Sequence, residues 1–141
     1  MGFQDFEIRE AAADVIRHFA GWDEVRALLR EYPVEVAEAV VFVNEASLFP
    51  ELLQLLDEPS GEVRAAGVSA LARVDALGHG ARFLELLGDS DPAVRGQVAL
   101  ALARLPREQV EAPLRAAYAR EADPAARVLI TDALWSLTGG W

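Results

Sequence analysis

Apolar residues recur along this chain with the spacing of a buried helical stripe. In "DPAVRGQVALALARLP", which opens at Asp91, Val94 is followed 4, 7, 8 and 11 positions later by Val98, Ala101, Leu102 and Leu105. That is one face of a 3.6-residue period, with polar or small residues between its members. The same set falls on Val63, Gly67, Ala70, Leu71 and Val74 in "SGEVRAAGVSALARV", and on Ala126, Ile130, Ala133, Leu134 and Leu137 in "DPAARVLITDALWSL". It recurs near the N-terminus on Ile8, Ala12, Val15, Ile16 and Phe19. Small members such as Gly67, Ala70, Ala101 and Ala133 let neighbouring helices approach closely.

The stripes belong to a repeat. Aligned on the pairs Val63-Arg64, Val94-Arg95 and Ala126-Arg127, the copies lie 31 and 32 residues apart. Leu55-Leu56 then matches Leu86-Leu87, and "ALAR" at 70–73 matches "ALAR" at 101–104. Ile8-Arg9 and Val36-Ala37 mark two weaker copies upstream, which makes five of one helix. Each copy starts for a physical reason. Asp91 and Asp123 can accept hydrogen bonds from the unpaired N–H groups of a first helical turn. Pro92 and Pro124 follow at the first helical position, where a missing N–H costs nothing. Ser60 and Asp5 can cap the related helices, and Pro33 sits one residue off register. Shorter amphipathic helices are predicted between the copies, at 22–31, 49–58, 80–88 and 107–121. Pro113 predicts a kink or a late start in the last of these. The connectors "DALGHG", "LGDSD" and "EADP" are short and turn-like. "VVFV" at 40–43 is strand-like by itself, but the helical period around it argues for helix.

A helix pair cannot bury its stripe alone; stacking pairs side by side makes one continuous core. The prediction is an all-α chain with 1–141 as a single repeat domain, degenerate over 1–48 and clearer over 49–138. The segments "LLDEPSGEVRAAGVSALARV" and "LLGDSDPAVRGQVALALARL" resemble the HEAT-repeat family, most of all the short HEAT-like repeats of phycobilin lyases. The unit is shorter than the ~40–47 residues usual for HEAT repeats, which suits that subtype. The resemblance implies a right-handed α-solenoid of about four to five helix-pair repeats. It also implies a structural ladder in which Arg64, Arg95 and Arg127, with Arg9 in the related position, meet the aspartates of adjoining turns, Asp91 and Asp123. Such pairs tie neighbouring repeats together, each exposed one contributing ~1 kcal/mol or less.

Composition narrows the function. The formal net charge is −10, from 23 acids against 13 bases, and all the bases are arginine. That balance disfavours nucleic acid and anionic membrane surfaces, which need a cationic surplus. Without lysine there is no side-chain Schiff base, and without cysteine there is no thiol nucleophile, thiolate metal site or disulfide. No apolar run approaches the ~20 residues of a membrane span. "MGFQDFEIRE" lacks the charge and apolar run of a secretory signal, so a cytoplasmic location is expected.

Positions 2, 6 and 9 of each copy point away from the stripe by helical geometry. They are Glu10, Asp14 and Arg17; Glu38, Phe42 and Glu45; Ala65, Ser69 and Ala72; Gly96, Leu100 and Ala103; Val128, Asp132 and Trp135. In a solenoid of helix pairs these second helices line the concave side. The partner-binding set predicted there is Glu38, Phe42, Glu45, Leu100, Val128, Asp132 and Trp135. Aromatic anchors among acids suit a basic amphipathic segment of another protein. The rival reading places Phe42 in the core, if the second copy slips by one residue, and Trp135 under the tail "TGGW". The last helix is apolar on several sides, so the tail, a partner or a second copy of the chain is expected to cover it.

No catalytic, metal-binding or cofactor-binding set emerges. His18 and His79 stand in no His-Glu or His-x-x-x-His spacing, and "GHG" around His79 reads as a turn. No phosphate-cradling glycine loop or nucleophile elbow occurs. The expected function is that of a non-enzymatic scaffold binding another protein. The lyase resemblance implies an alternative, an enzyme-assisting lyase-like or chaperone-like subunit acting on a partner protein or a tetrapyrrole. A nucleic-acid-binding HEAT-like protein is the second alternative, and the net charge stands against it.

Overall fold

The structure is a computed structural model and describes residues 27, 30–37 and 49–139. Its elements are α1 (Phe49–Gln54), α2 (Gly61–Asp75), α3 (Gly80–Leu86), α4 (Pro92–Leu102), α5 (Arg107–Arg120) and α6 (Pro124–Thr138). Short 3-10 turns follow α1 at Leu55–Asp57 and precede α3 at Leu77–His79. The described residues hold no strand. The chain forms two compact units, Met1–Ala70 and Leu71–Trp141. Of the weaker upstream copies, the second is described only as far as Ala37, and Glu38, Phe42, Glu45 and His18 lie outside the described residues.

In the first unit, Leu52, Leu55 and Leu56 are buried from the α1 side and Val68 from the α2 side, while Val36 and Ala37 are buried upstream. Gly67 sets the closeness of this packing. A Cβ there would lie 2.9 Å from Leu55 Cβ and 3.4 Å from the Leu52 carbonyl oxygen. Neither atom is the loose end of a side chain, so the stripe needs glycine at this point.

In the second unit, α4 packs on α3 and α6, and α5 packs on α6. The predicted stripe is the core. Val94, Val98, Ala101, Leu102 and Leu105 are all buried, as are Ala126, Ile130, Ala133 and Leu134; Leu137 is half-buried. Opposite them lie Phe83, Leu86 and Leu87 from the α3 segment and Val110, Leu114 and Ala117 from α5. Each large side chain buried in this way contributes about 1.5–3 kcal/mol.

The helix starts follow from local chemistry. Asp91 accepts the Ala93 N–H at 2.8 Å through Oδ1, and Asp123 accepts the Ala126 N–H at 2.9 Å through Oδ2. Pro92 and Pro124 stand just inside each cap. In the first unit Ser60 Oγ lies 3.4 Å from the Val63 N–H. Helix α5 starts at Arg107, so Pro113 causes no late start. The carbonyl it leaves without a partner belongs to Gln109, an exposed residue that water can satisfy. At the other end α6 stops at Gly139, where φ is +70° and the N–H donates to the Trp135 carbonyl at 2.9 Å. This left-handed stop is where glycine is favoured.

Two positions expected on the open face are instead buried. Gly96 of α4 lies under Leu129 of α6, and Ala72 is 6% exposed, with its carbonyl accepting from Arg104 at 3.3 Å. Gly96 and Ala72 therefore face the next repeat, whereas Val128 and Trp135, at the corresponding positions of α6, are exposed.

Candidate functional site

The repeated arginines act first on the connectors. Arg64 Nη1 donates to the carbonyls of Glu58 and Pro59 at 2.8 and 2.9 Å. Arg95 Nη1 does the same to Asp89 and Ser90 at 2.9 and 3.3 Å. Arg127 Nη1 donates to Glu121 and Tyr118 at 3.0 and 3.2 Å, and its guanidinium lies 4.0 Å over the Tyr118 ring. In each case the guanidinium satisfies carbonyls left over where the preceding helix ends, which short turns cannot pair by themselves.

Arg95 also spans to the next repeat. Its Nε and Nη2 donate to the two carboxylate oxygens of Glu121 at 2.7 and 2.8 Å. Glu121 is 6% exposed, and its Oε2 accepts the Asp123 N–H at 3.1 Å as well. The guanidinium bond holds the Glu121 carboxyl below the usual carboxylate range, against the opposing effect of burial. The same bond raises Arg95 further. The resemblance implied aspartates in this role, but Asp91 and Asp123 are occupied as caps. The partner of Arg95 is a glutamate one connector later, whose longer side chain crosses the gap.

Sequence reasoning passed over Glu121, although a signal existed. An acid stands two residues before the cap in all three phrases, as Glu58, Asp89 and Glu121. Asp89 Oδ1 accepts the Asp91 N–H at 2.8 Å just as Glu121 takes that of Asp123. A hollow of about 280 Å³ lies beside this cluster, lined in part by Gly88, Arg95, Arg120 and Glu121. The polar atoms of Arg95 and Glu121 are turned on one another and on the backbone, which makes this a structural clamp.

His79 lies at the start of α3, with Nε2 3.9 Å from Asp75 Oδ2 and its ring edge-on to Phe83. Asp75 Oδ1 accepts the Gly78 N–H at 3.1 Å, which closes the predicted turn. Among the described residues no group of three or more His, Cys, Asp or Glu is placed to hold a metal ion. Likewise, no helix among them is long and apolar enough to cross a membrane.

The partner-face residues within the described chain lie on α4 and α6. Leu100 is half-buried and Asp132 is exposed. Val128 and Trp135 are 58% and 54% exposed, unusually open for large apolar side chains. A shallow depression of about 350 Å³ lies at Val128, lined also by Pro124, Arg127, Thr131 and Asp132. The Thr131 hydroxyl is engaged within the helix, donating to the Arg127 carbonyl at 2.8 Å. This face offers apolar contact and one carboxylate, which suits association with another surface.

A family model described as HEAT repeats matches residues 49–135. No curated protein and no solved structure matches the chain.

Proposed function

The chain belongs to the HEAT-repeat family, and from that premise we propose that it is a non-enzymatic scaffold that binds another protein on its second helices. HEAT repeats are commonly protein-interaction scaffolds, so the fold and the role agree. In this reading the helix pairs continue as a right-handed solenoid of about four to five repeats, with the second helices on its concave side. The partner contacts Leu100, Val128, Asp132 and Trp135 in the described part of that face. The observation that carries the proposal is the exposure of Val128 and Trp135 on either side of Asp132. Large apolar side chains held open on a rigid helix are the usual anchors of a protein interface.

The test is affinity capture with the whole chain, comparing wild type with Leu100→Ala, Trp135→Ala and Phe42→Ala. A protein retained by the wild type and lost from the variants supports the proposal. Equal recovery of every protein by all four overturns it.

A further inference from the structure

We propose that the exposed side of α6 is a seat for one amphipathic helix of a cationic partner protein, laid across it as α6 itself is laid across α4. The proposal rests on the scaffold reading above and gives it a place and a partner chemistry. Helices α4 and α6 are consecutive copies in a 32-residue register, so Gly96 and Ala99 of α4 and Ala103 at its C-terminal cap correspond to Val128, Thr131 and Trp135 of α6. On α4 this line is covered at Gly96 and Ala99. Leu129 of α6 lies over Gly96, so close that a Cβ there would come within 2.6 Å of Leu129 Cδ1, and Ala99 is 0% exposed. On α6 the same line is open at Val128 and Trp135, with the depression beside it. The molecule's own example of what covers this line is a helix that lays a leucine across it.

The side chains also show how the guest differs from another repeat. Glycine and alanine on α4 are replaced by valine and tryptophan on α6, so a helix cannot approach α6 as closely as α6 approaches α4. The guest therefore sits farther out, or brings small residues opposite Val128 and Trp135. A second copy of the chain fits poorly. An antiparallel pair of α6 helices that sets Val128 against Trp135 of the other copy brings the two Asp132 carboxylates together at the centre. Like charges facing each other across a contact are unfavourable. A guest helix with a cation between two apolar residues removes that cost, because Asp132 lies between Val128 and Trp135 along the face. Arg127, the other charge at the depression, is already engaged by two carbonyls and the Tyr118 ring.

The charge of the chain as a whole favours the same partner. Residues 1–70 hold 14 acids against 5 arginines, and residues 71–141 hold 9 against 8. The surplus that draws a cation from a distance comes from the first stretch, and Asp132 selects it at the seat.

The test uses the full chain and two synthetic helical peptides of about 18 residues, or five turns. Both carry one leucine–alanine stripe; the polar face is lysine and arginine in one and glutamate in the other. Binding is read by fluorescence anisotropy. The basic peptide should bind and the acidic one should not. Trp135→Ala should weaken binding by about tenfold or more, and Val128→Ala and Asp132→Asn by roughly threefold each. Glu108→Gln, at an exposed position of α5, should leave it unchanged. Circular dichroism confirms that each variant keeps its helix content. Equal affinity of wild type and Trp135→Ala, equal binding of both peptides, or no binding of either overturns the seat. So does a dimer in sedimentation that Trp135→Ala dissolves, because the occupant is then a second copy. If Leu100→Ala weakens the basic peptide and Trp135→Ala does not, the seat falls while the scaffold reading stands.

Discussion

Helices α4 and α6 hold the same place in consecutive repeats and have the same inner face, yet their outer lines differ. Inside, Val94, Val98, Ala101 and Leu102 match Ala126, Ile130, Ala133 and Leu134, and all eight are buried. Outside, Gly96 and Ala99 are covered while Val128 is open. The inner face is set by each repeat's own partner helix, so it repeats faithfully. The outer line is set by what lies over it, and on α6 Val128 and Trp135 are left uncovered. In a repeat protein the informative residues are therefore those that change size where the stripe does not.

The largest predicted effects test the likeness of the inner faces. Leu102→Ala in α4 and Leu134→Ala in α6 remove matching leucines that are 0% and 1% exposed. Each should cost about 2–5 kcal/mol in urea denaturation, with the α6 variant at the lower end because its open side allows more relaxation. A greater loss at Leu134 would mean that the α6 side is as tightly enclosed as that of α4.

Next comes the clamp between the two repeats. Glu121→Ala leaves Arg95 with its carbonyl partners but without its carboxylate, and should cost about 2–3 kcal/mol, less than a fully buried pair because Arg95 keeps some contact with water. The carboxyl of Glu121 is depressed when folded, so its contribution is present above the ordinary carboxylate range. It is lost as pH falls through the lower folded value. Thermal melts from about pH 5 to pH 2 should fall steeply for the wild type and less so for Glu121→Gln. Parallel curves would show that Glu121 does not carry the acid sensitivity. Glu111, whose carboxyl is also lowered, by Arg107 and Arg115 along α5, contributes a similar but more exposed dependence in both proteins.

Much of this was legible in the sequence. The stripe from Val94 to Leu102 named four of the buried residues of α4, and Leu105 just beyond its end, because a 3.6-residue period marks a buried face. Asp91 and Asp123 were legible as caps because a cap acts within three residues of itself. The family match over residues 49–135 agrees with the repeat seen in the text. What was not legible depends on contacts between repeats. Gly96 reads as an outward position by its angle on the helix, and only the arrival of Leu129 buries it. Glu121 reads as one more connector acid, and only its length and the position of Arg95, 26 residues earlier, make it a clamp.

The two core glycines separate the outer line from the inner one. Gly67→Ala places a methyl against Leu55 Cβ and the Leu52 carbonyl, atoms that move only with their backbone, and should cost about 1–3 kcal/mol. Gly96→Ala meets mainly Leu129 Cδ1, the far end of a flexible side chain. The gain in helix propensity, about 1 kcal/mol, opposes that displacement, so the net change should be within about 1 kcal/mol. Chemical denaturation of the two variants side by side measures the difference. Equal losses would mean that the α4–α6 contact is as unyielding as the one at Gly67.

The smallest effect is expected where the two helices differ most. Trp135 is half-exposed on α6, so Trp135→Ala removes little that the fold has buried. Its stability should stay within about 0.5 kcal/mol of wild type, in keeping with surface substitutions away from caps and clamps. Tryptophan is a costly residue to leave open to water, and on the proposed scaffold reading its use is contact with the partner. A urea midpoint lowered by more than that margin at unchanged slope would place the indole in an internal contact, and the open line on α6 would then belong to the fold rather than to a partner.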